Sequence, residues 1–274
     1  MKSGIVLVWA GIAAIGCGWM DAPVDPAGDS LPCEADIGVH PGAGTPSEAL
    51  QAALDSAPPG SVIAVDAGIY AAVVNRKDVH VIGRDGTGSC APALGEGGPV
   101  LEGLDSSMGT FEGIGVRGAV SLTGSAMVRS ADFRDGRIAL QDQARLEGFL
   151  AVNAPMLARG ASSVVSGLLV LSPADGARLE ESARMDHATC AGNAGHGLVL
   201  AGREVLAANV LTTDNGGAGL MEEISPRLLE HIGFHANARG GYASATGEGA
   251  GPKVRTERDP TTVTVMMAGD RRGT

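Results

Sequence analysis

Aromatic side chains are scarce in this chain, with two Trp, two Tyr and four Phe among 274 residues. Sugar-binding clefts rely on exposed ring faces. Trp9 lies in the first apolar run, Trp19 in the polar segment after it, and Phe133 and Phe234 in an apolar column described below, so little remains to line a glycan groove. Basic residues are short as well. Against 31 Asp and Glu stand 20 Lys and Arg, a net charge of −11 that disfavours nucleic acid and unassisted binding of polyanionic glycans. There is no Cys-x-x-Cys, no phosphate-cradling glycine loop and no nucleophile elbow. No metal-ligand set is legible, so no cofactor is expected, and a calcium ion has no support in the sequence. What is abundant is glycine, 42 residues, beside 14 prolines. Disorder does not explain it, because 44% of the residues are hydrophobic and the mean hydropathy is positive. Many short buried strands separated by tight turns fit both facts.

The first residues form a unit of their own. Lys2 precedes an apolar run from Ile5 to Ile15 that is too short to span a bilayer comfortably and has the shape of a secretory signal. Ala14-Ile15-Gly16-Cys17 resembles a bacterial lipobox, in which the cysteine is lipidated and begins the mature protein. It departs from that pattern where Leu usually stands at Ala14 and a small residue at Ile15, and ordinary cleavage or an uncleaved anchor are the other readings. Residues 1–16 are thus expected to be a signal peptide, and Cys17 with the Pro- and Asp-rich stretch to residue 36 a lipidated tether. Export places the chain in the cell envelope, on the periplasmic or surface side, held to a membrane through the lipid. Export also permits disulfides. Cys33 and Cys90, in Gly- and Pro-containing loops around the first segment of the domain, are the expected pair, and Cys190 is expected to be a small buried hydrophobe.

From Thr45 the pattern changes. Thr45 can cap a helix, Pro46 suits its first position and Glu48 completes a capping box, while Ala49, Leu50, Ala53 and Leu54 share one face. Ser61–Val65 reads as a strand, Ala67-Gly68-Ile69-Tyr70 as a turn, and Val79–Gly83 as another strand. The order EALQAAL, PPGSVIAVDAGIY, KDVHVIGRDG over residues 45–104 resembles the opening of the pectin-lyase-like β-helix family. There a helix plugs the first coil, and a Gly-x-Tyr turn precedes a basic residue and a strand ending in Ile-Gly.

Residues 118–241 can be cut into six lines of similar length, starting at 118, 138, 156, 177, 198 and 220. One column then holds Val128, Leu146, Val165, Met185, Leu206 and Leu229; a second Ala131, Phe149, Leu168, Ala188, Asn209 and Ile232; a third Phe133, Ala151, Val170, Cys190, Leu211 and Phe234. A period near twenty means that no coil can bury its apolar face alone, so coils must stack. Leucine-rich repeats share the period but need a fixed Asn and a Leu-x-Leu spacing that are missing here. The expected fold is all-β: a right-handed parallel β-helix over residues 37–249 with a short capping α-helix at its start. After Tyr242 the period is lost, residues 250–274 read as a polar tail, and TTVTVMMA within it has the composition of one more strand.

Stacking gives meaning to a residue's place in its coil. Asn193, Asp214 and Asn237 fall in one column, expected to hydrogen-bond the backbone of a corner. Asp186 with His187, and Glu230 with His231, fall two coils apart on one face and have the residue types for general acid/base work. Two coils are too far apart for both His to ligate one metal. His196 and His235 sit near glycines and read as exposed. Enzymes of the resembled family imply either stacked carboxylates on calcium with an Arg base, or paired aspartates in Asp-Asp and Gly-His-Gly contexts. Gly195-His196-Gly197 matches the last tripeptide, but the chain has no Asp-Asp. The expected function is therefore a non-catalytic, surface-anchored scaffold or binding surface, with a protein or polysaccharide as partner and no nucleic acid. The alternative is a carbohydrate-active enzyme, a polysaccharide lyase or glycoside hydrolase, with Asp186, His187, Asp214, Glu230 and His231 as its candidates.

Overall fold

Parallel strands stacked rung upon rung build a β-helix of about eight turns. The computed structural model describes residues 34–42, 46–86, 90, 97–224, 226–245 and 265–266. The expected signal peptide, Cys17, most of the expected tether, Cys33, Thr45 and most of the expected tail lie outside the described residues. Each rung contributes to three parallel sheets. The first runs through Val62–Val65, His80–Gly83 and Thr110–Glu112, then through the opening halves of Met127–Leu140, Arg145–Val152, Ser163–Val170, Arg184–Ala191, Leu206–Thr213 and Leu228–His235. The second sheet takes Gly68–Tyr70, Pro99–Leu101, the start of Gly115–Leu122, the middle of Met127–Leu140 and the closing halves of the later long strands, while the ends of Gly115–Leu122 and Met127–Leu140 pass on into the third. The third takes Val73–Asn75 and Leu104–Ser106, and later Met156–Ala158, Ala177–Glu180, Leu198–Ala201, Leu220–Glu222 and Tyr242–Ser244.

Side chains alternate in and out along a strand, and the inward ones stack into columns. These columns correct the ones expected from the sequence. The first is Val128, Leu146, Val164, Met185, Ala207 and Leu229; the second Ala131, Phe149, Gly167, Ala188, Val210 and Ile232; the third Phe133, Ala151, Leu169, Cys190, Thr212 and Phe234. Two coils had therefore been read one residue out of register: Val165, Leu168 and Val170 point outward, as do Leu206 and Leu211, and Asn209 occupies a bend. The physical reason is that corner lengths vary, while neighbours such as Val164-Val165 and Leu168-Leu169 are both apolar, so alternation does not say which is inside. Gly167 shows how tightly the true column packs. A Cβ there would lie 2.2 Å from the Phe149 ring, which itself meets Phe133 edge-on at 6.1 Å.

Each long strand bends between the first and second sheets at one residue in the left-handed region: Ser130, Gly148, Ser166, His187, Asn209 and His231, with φ between 48° and 56°. One such residue turns the chain without a loop. A second left-handed column, at the exit from the second sheet, holds Asp135, Asn153, Leu171, Gly192, Asp214 and Ala236.

The helix α1, Ala49–Ser56, covers the start of the core with Leu50 and Leu54. It begins later than the capping box implied, and Glu48 makes no side-chain cap. Instead the Ser47 hydroxyl accepts from the amides of Gly42 (2.8 Å) and Ala49 (3.2 Å). Gln51 then behaves as a strand edge in miniature: its amide accepts from Val74 N–H and donates to Val74 C=O. Lys77 closes the other end, its ammonium donating to the carbonyls of Leu54, Asp55 and Ala57. The Gly-x-Tyr segment is a strand, not a turn, and Tyr70 is fully buried with its hydroxyl donating to Asp66 C=O. At the far end, Val265–Met266 pairs antiparallel with Leu228–His235, which covers part of the last rung's edge.

Candidate functional site

Three regions gather polar or exposed groups, and the columns decide what each can do. The first is the bend between the first two sheets. Asp186, Ala208 and Glu230 stack in one column, with His187, Asn209 and His231 beside them at the bends. Asp186 Oδ1 lies 2.9 Å from His187 Nδ1 and accepts a hydrogen bond from Asn209 Nδ2 at 2.8 Å. The imidazole and the carboxylate are both exposed and form an ion pair when His187 is protonated, which places an acid and a base side by side at the bend. No such contact joins Glu230 and His231, both exposed. The structure thus makes one of the two expected pairs. Asp214 does not join them; it lies at the other edge of the second sheet, exposed, where Thr213 donates to it.

The second region is the corner between the second and third sheets, where four successive loops end in Gly176, Gly197, Gly219 and Gly241. Here the expected column of Asn193, Asp214 and Asn237 is corrected to Asn193, Asn215 and Asn237. Asn215 Oδ1 accepts from the backbone N–H and the Nδ2 of Asn193 (3.1 and 2.8 Å), and its own Nδ2 donates to Cys190 C=O and Asn237 Oδ1 (3.1 and 2.7 Å). Asn193 Oδ1 in turn accepts from Ser172 N–H, and Asn237 donates to Thr212 C=O. This is a buried asparagine ladder. A Cβ on Gly197 would sit 2.7 Å from Asn215 Nδ2, and one on Gly176 2.6 Å from Asn193 Nδ2. Gly195-His196-Gly197 owes its glycine to that ladder. His196 is half-buried, correcting the expectation of full exposure, and its Nδ1 accepts from Ala218 N–H at 3.0 Å. His235 is exposed as expected.

The third region is the outer face of the second sheet. Its outward columns are Asp132, Leu150, Leu168, Thr189, Leu211 and Gly233, and beside them Arg117, Arg134, Val152, Val170, Ala191, Thr213 and His235. The middle of this face is apolar. Leu168 is 39% exposed and Leu171, at its edge, 62%. The third sheet handles the same problem differently. Outward Val199 is covered by Arg178, which reaches across its rung to form a bidentate pair with Glu223 (2.8 and 2.7 Å). Glu180 holds Arg178 from the other side at 2.7 Å and also pairs with Arg159. These contacts, Glu223 before Glu180, raise the Arg178 pKa, and hydrogen bonds from Arg178 draw Glu180 and Glu223 below the ordinary carboxylate range.

Sequence reasoning missed Glu222, which interrupts the inward column of the third sheet after Leu179 and Leu200. It is buried and accepts from Tyr242 at 2.6 Å. Burial first, then that carboxylate, pushes the Tyr242 hydroxyl up to about 12. The break in a Leu column was its signal. Cys190 is buried in the core, which pushes its thiol up to about 12. Cys90 is disulfide-bonded, and the expected partner, Cys33, lies outside the described residues. Among the described residues no group of three or more His, Cys, Asp or Glu could hold a metal ion.

No protein-family model matches the sequence, and no curated protein matches it. Among solved structures, the chain is similar to the A-module of the mannuronan C-5 epimerase AlgE4 of Azotobacter vinelandii, with a TM-score of 0.49 and 13% identity over 74% of this chain and 79% of that one. A similarity of that size assigns neither a residue nor an activity to this chain.

Proposed function

We propose that this protein is a non-catalytic β-helix of the cell envelope, anchored through Cys17, that presents the outer face of its second sheet to a protein partner. The observation that carries the reading is the apolar stripe of Leu150, Val152, Leu168, Val170 and Leu171, with Leu171 62% exposed. Contiguous apolar surface on a soluble face marks an interaction site. A glycan is the weaker occupant: Tyr70, Phe111, Phe133 and Phe149 are all buried, so ring faces for stacking on sugars are not offered there. Export and lipidation rest on the signal-like run and the lipobox-like residues before Cys17. Leu168→Asp and Leu171→Asp should leave the thermal midpoint within a few degrees of wild type while complexes trapped by cross-linking at this face in intact envelopes disappear. Complexes that persist in both variants would sink the reading.

A second reading has its own observation. Asp186 lies 2.9 Å from His187 Nδ1 on an exposed bend, an acid–base pair that suits a carbohydrate-active enzyme working along the bend. A panel of uronic and neutral polysaccharides separates the two. Turnover abolished by His187→Ala overturns the non-catalytic reading; a folded protein inactive across the panel removes the enzymatic one.

A further inference from the structure

We infer that the partner of the second sheet is a second copy of this chain, packed face to face about a two-fold axis that runs along the strand direction between Arg145–Val152 and Ser163–Val170. This inference rests on the binding-face reading above. Charge and apolar surface are distributed along the face in a self-complementary order. Three rungs lie on each side of the axis: on one side those of Arg117, Arg134 and Val152, on the other those of Val170, Ala191 and Thr213. Such an axis reverses the solenoid direction but keeps each column opposite itself. Leu150 then meets the Leu168 of the other copy, and Val152 meets its Val170. Outward from this apolar centre, Arg134 faces Ala191, and Arg117 faces the rung of Thr213 and Asp214. Arg117 and Asp214 are both exposed and in no ion pair among the described residues. Arg134 is already neutralised by Asp132 in its own rung (2.8 Å), so the unpaired charges of the face are Arg117 at one end and Asp214 at the other. An apolar middle between them is self-complementary under this rotation, and each pairing occurs twice. Rotation about the solenoid axis instead keeps every rung opposite itself. It leaves Arg117 and Asp214 five rungs apart.

The size of the face sets the strength. Six rungs about 4.8 Å apart, each with roughly five residues of about 3.3 Å, outline on the order of 500 Å². A standard interface buries about 800 Å² per partner. Association is accordingly weak, with a dissociation constant on the order of micromolar.

The test uses the full processed chain. Sedimentation across the micromolar range should show a monomer–dimer equilibrium, weakened on the order of tenfold by Arg117→Glu and restored when Asp214→Arg is added to the same chain. Mixing a Leu150→Cys chain with a Leu168→Cys chain under oxidation should give disulfide-linked dimer faster than either chain alone, because each residue is offset from its own copy by one rung of about 4.8 Å. A monomer at all concentrations, or equal cross-linking of each chain with itself, overturns the inference. A photo-cross-linker at Leu168 in intact envelopes separates the two levels. Adducts to this chain support the second copy. Adducts to a different protein, with the purified chain monomeric, overturn the second copy and leave the binding face standing. No adduct at all overturns both.

Discussion

Replacing Asn215 by Ala tests the register of the whole repeat, because the structure places this residue, and not Asp214, inside the corner ladder. Asn215 is 1% exposed and makes four hydrogen bonds, accepting twice from Asn193 and donating to Cys190 C=O and Asn237 Oδ1. A buried hydrogen bond contributes about 1 kcal/mol net, and a partner left unpaired costs about 1–3 kcal/mol. Some of the orphaned groups are relieved by water entering the vacated space, so the loss should come to about 3–5 kcal/mol rather than the simple sum. The neighbouring Asp214→Asn is the control. Asp214 is exposed at φ 55°, a conformation Asn tolerates, and its replacement should stay within about 0.5 kcal/mol.

The assay is guanidinium unfolding followed by circular dichroism, with hydrogen exchange at 188–219 to show that the loss is centred on this corner, since a solenoid need not unfold in two states. Gly197→Ala attacks the same contact from the other side, with a Cβ 2.7 Å from Asn215 Nδ2 and 2.8 Å from Gly219 C=O. If the ladder is one unit, Asn193→Ala and Asn215→Ala together should cost less than their separate effects added, by about 1 kcal/mol or more. An Asn215→Ala chain within about 1 kcal/mol of wild type, or an Asp214→Asn chain as damaged as it, would refute the register and the ladder together.

Other expectations follow from single contacts. Lys77→Met removes three hydrogen bonds to the end of α1 and should speed amide exchange in 49–57 selectively, at a cost of about 1–3 kcal/mol. Burial pushes the Cys190 thiol and the Tyr70 hydroxyl up to about 12, and burial with Glu222 does so for Tyr242. A folded state that holds these protons more tightly than the unfolded chain is fully favoured below the ordinary pKa values. It loses stability as pH rises towards 12, so the thermal midpoint should fall steadily above about pH 9, and absorbance at the tyrosinate band should rise only with unfolding. Native Cys190 should resist thiol reagents at pH 8 and react once denatured. Arg178→Gln should cost about 1 kcal/mol or less through its part-exposed pairs, the effect shrinking in high salt.

The architecture was legible because stacking demands it: a twenty-residue period, abundant glycine and β-branched residues leave few other folds. The register was not, and the reason is local. Where a coil offers Leu168-Leu169 or Leu206-Ala207 side by side, alternation cannot say which member faces inward. Only the neighbouring rung decides. Asn215 is hard to place from sequence for a related reason, since it sits beside Asp214 and either has the chemistry of a corner residue. The hydrogen bonds pick Asn215 because the ladder needs a side chain that accepts and donates at once, which a carboxylate cannot do. Tyr70 was misread as a turn because Gly68 precedes it. The candidate acid and base groups were legible as residue types two coils apart, but not the close contact that joins His187 to Asp186 and leaves His231 alone.

The bends sharpen what counts as a functional signal. His187, Asn209 and His231 stand at left-handed φ in successive rungs, and His and Asn are among the residues that accept that conformation most readily. Their identity is explained by backbone geometry before any chemistry is invoked. Leu171 is the opposite case. It adopts φ 58°, which a Cγ-branched apolar side chain disfavours, and it is 62% exposed, which removes the reward for burying it. Neighbours in its own column solve the same bend with Asp135, Asn153, Gly192 and Asp214. A position where both local conformation and solvation argue against the residue present is where a demand from outside the fold shows, and Leu171 borders the apolar stripe of the second sheet. Leu171→Asn should therefore stabilise the isolated chain slightly, by about 0.5 kcal/mol, while weakening association through that face. A destabilised Leu171→Asn chain with unchanged association would assign Leu171 to the fold and not to the partner.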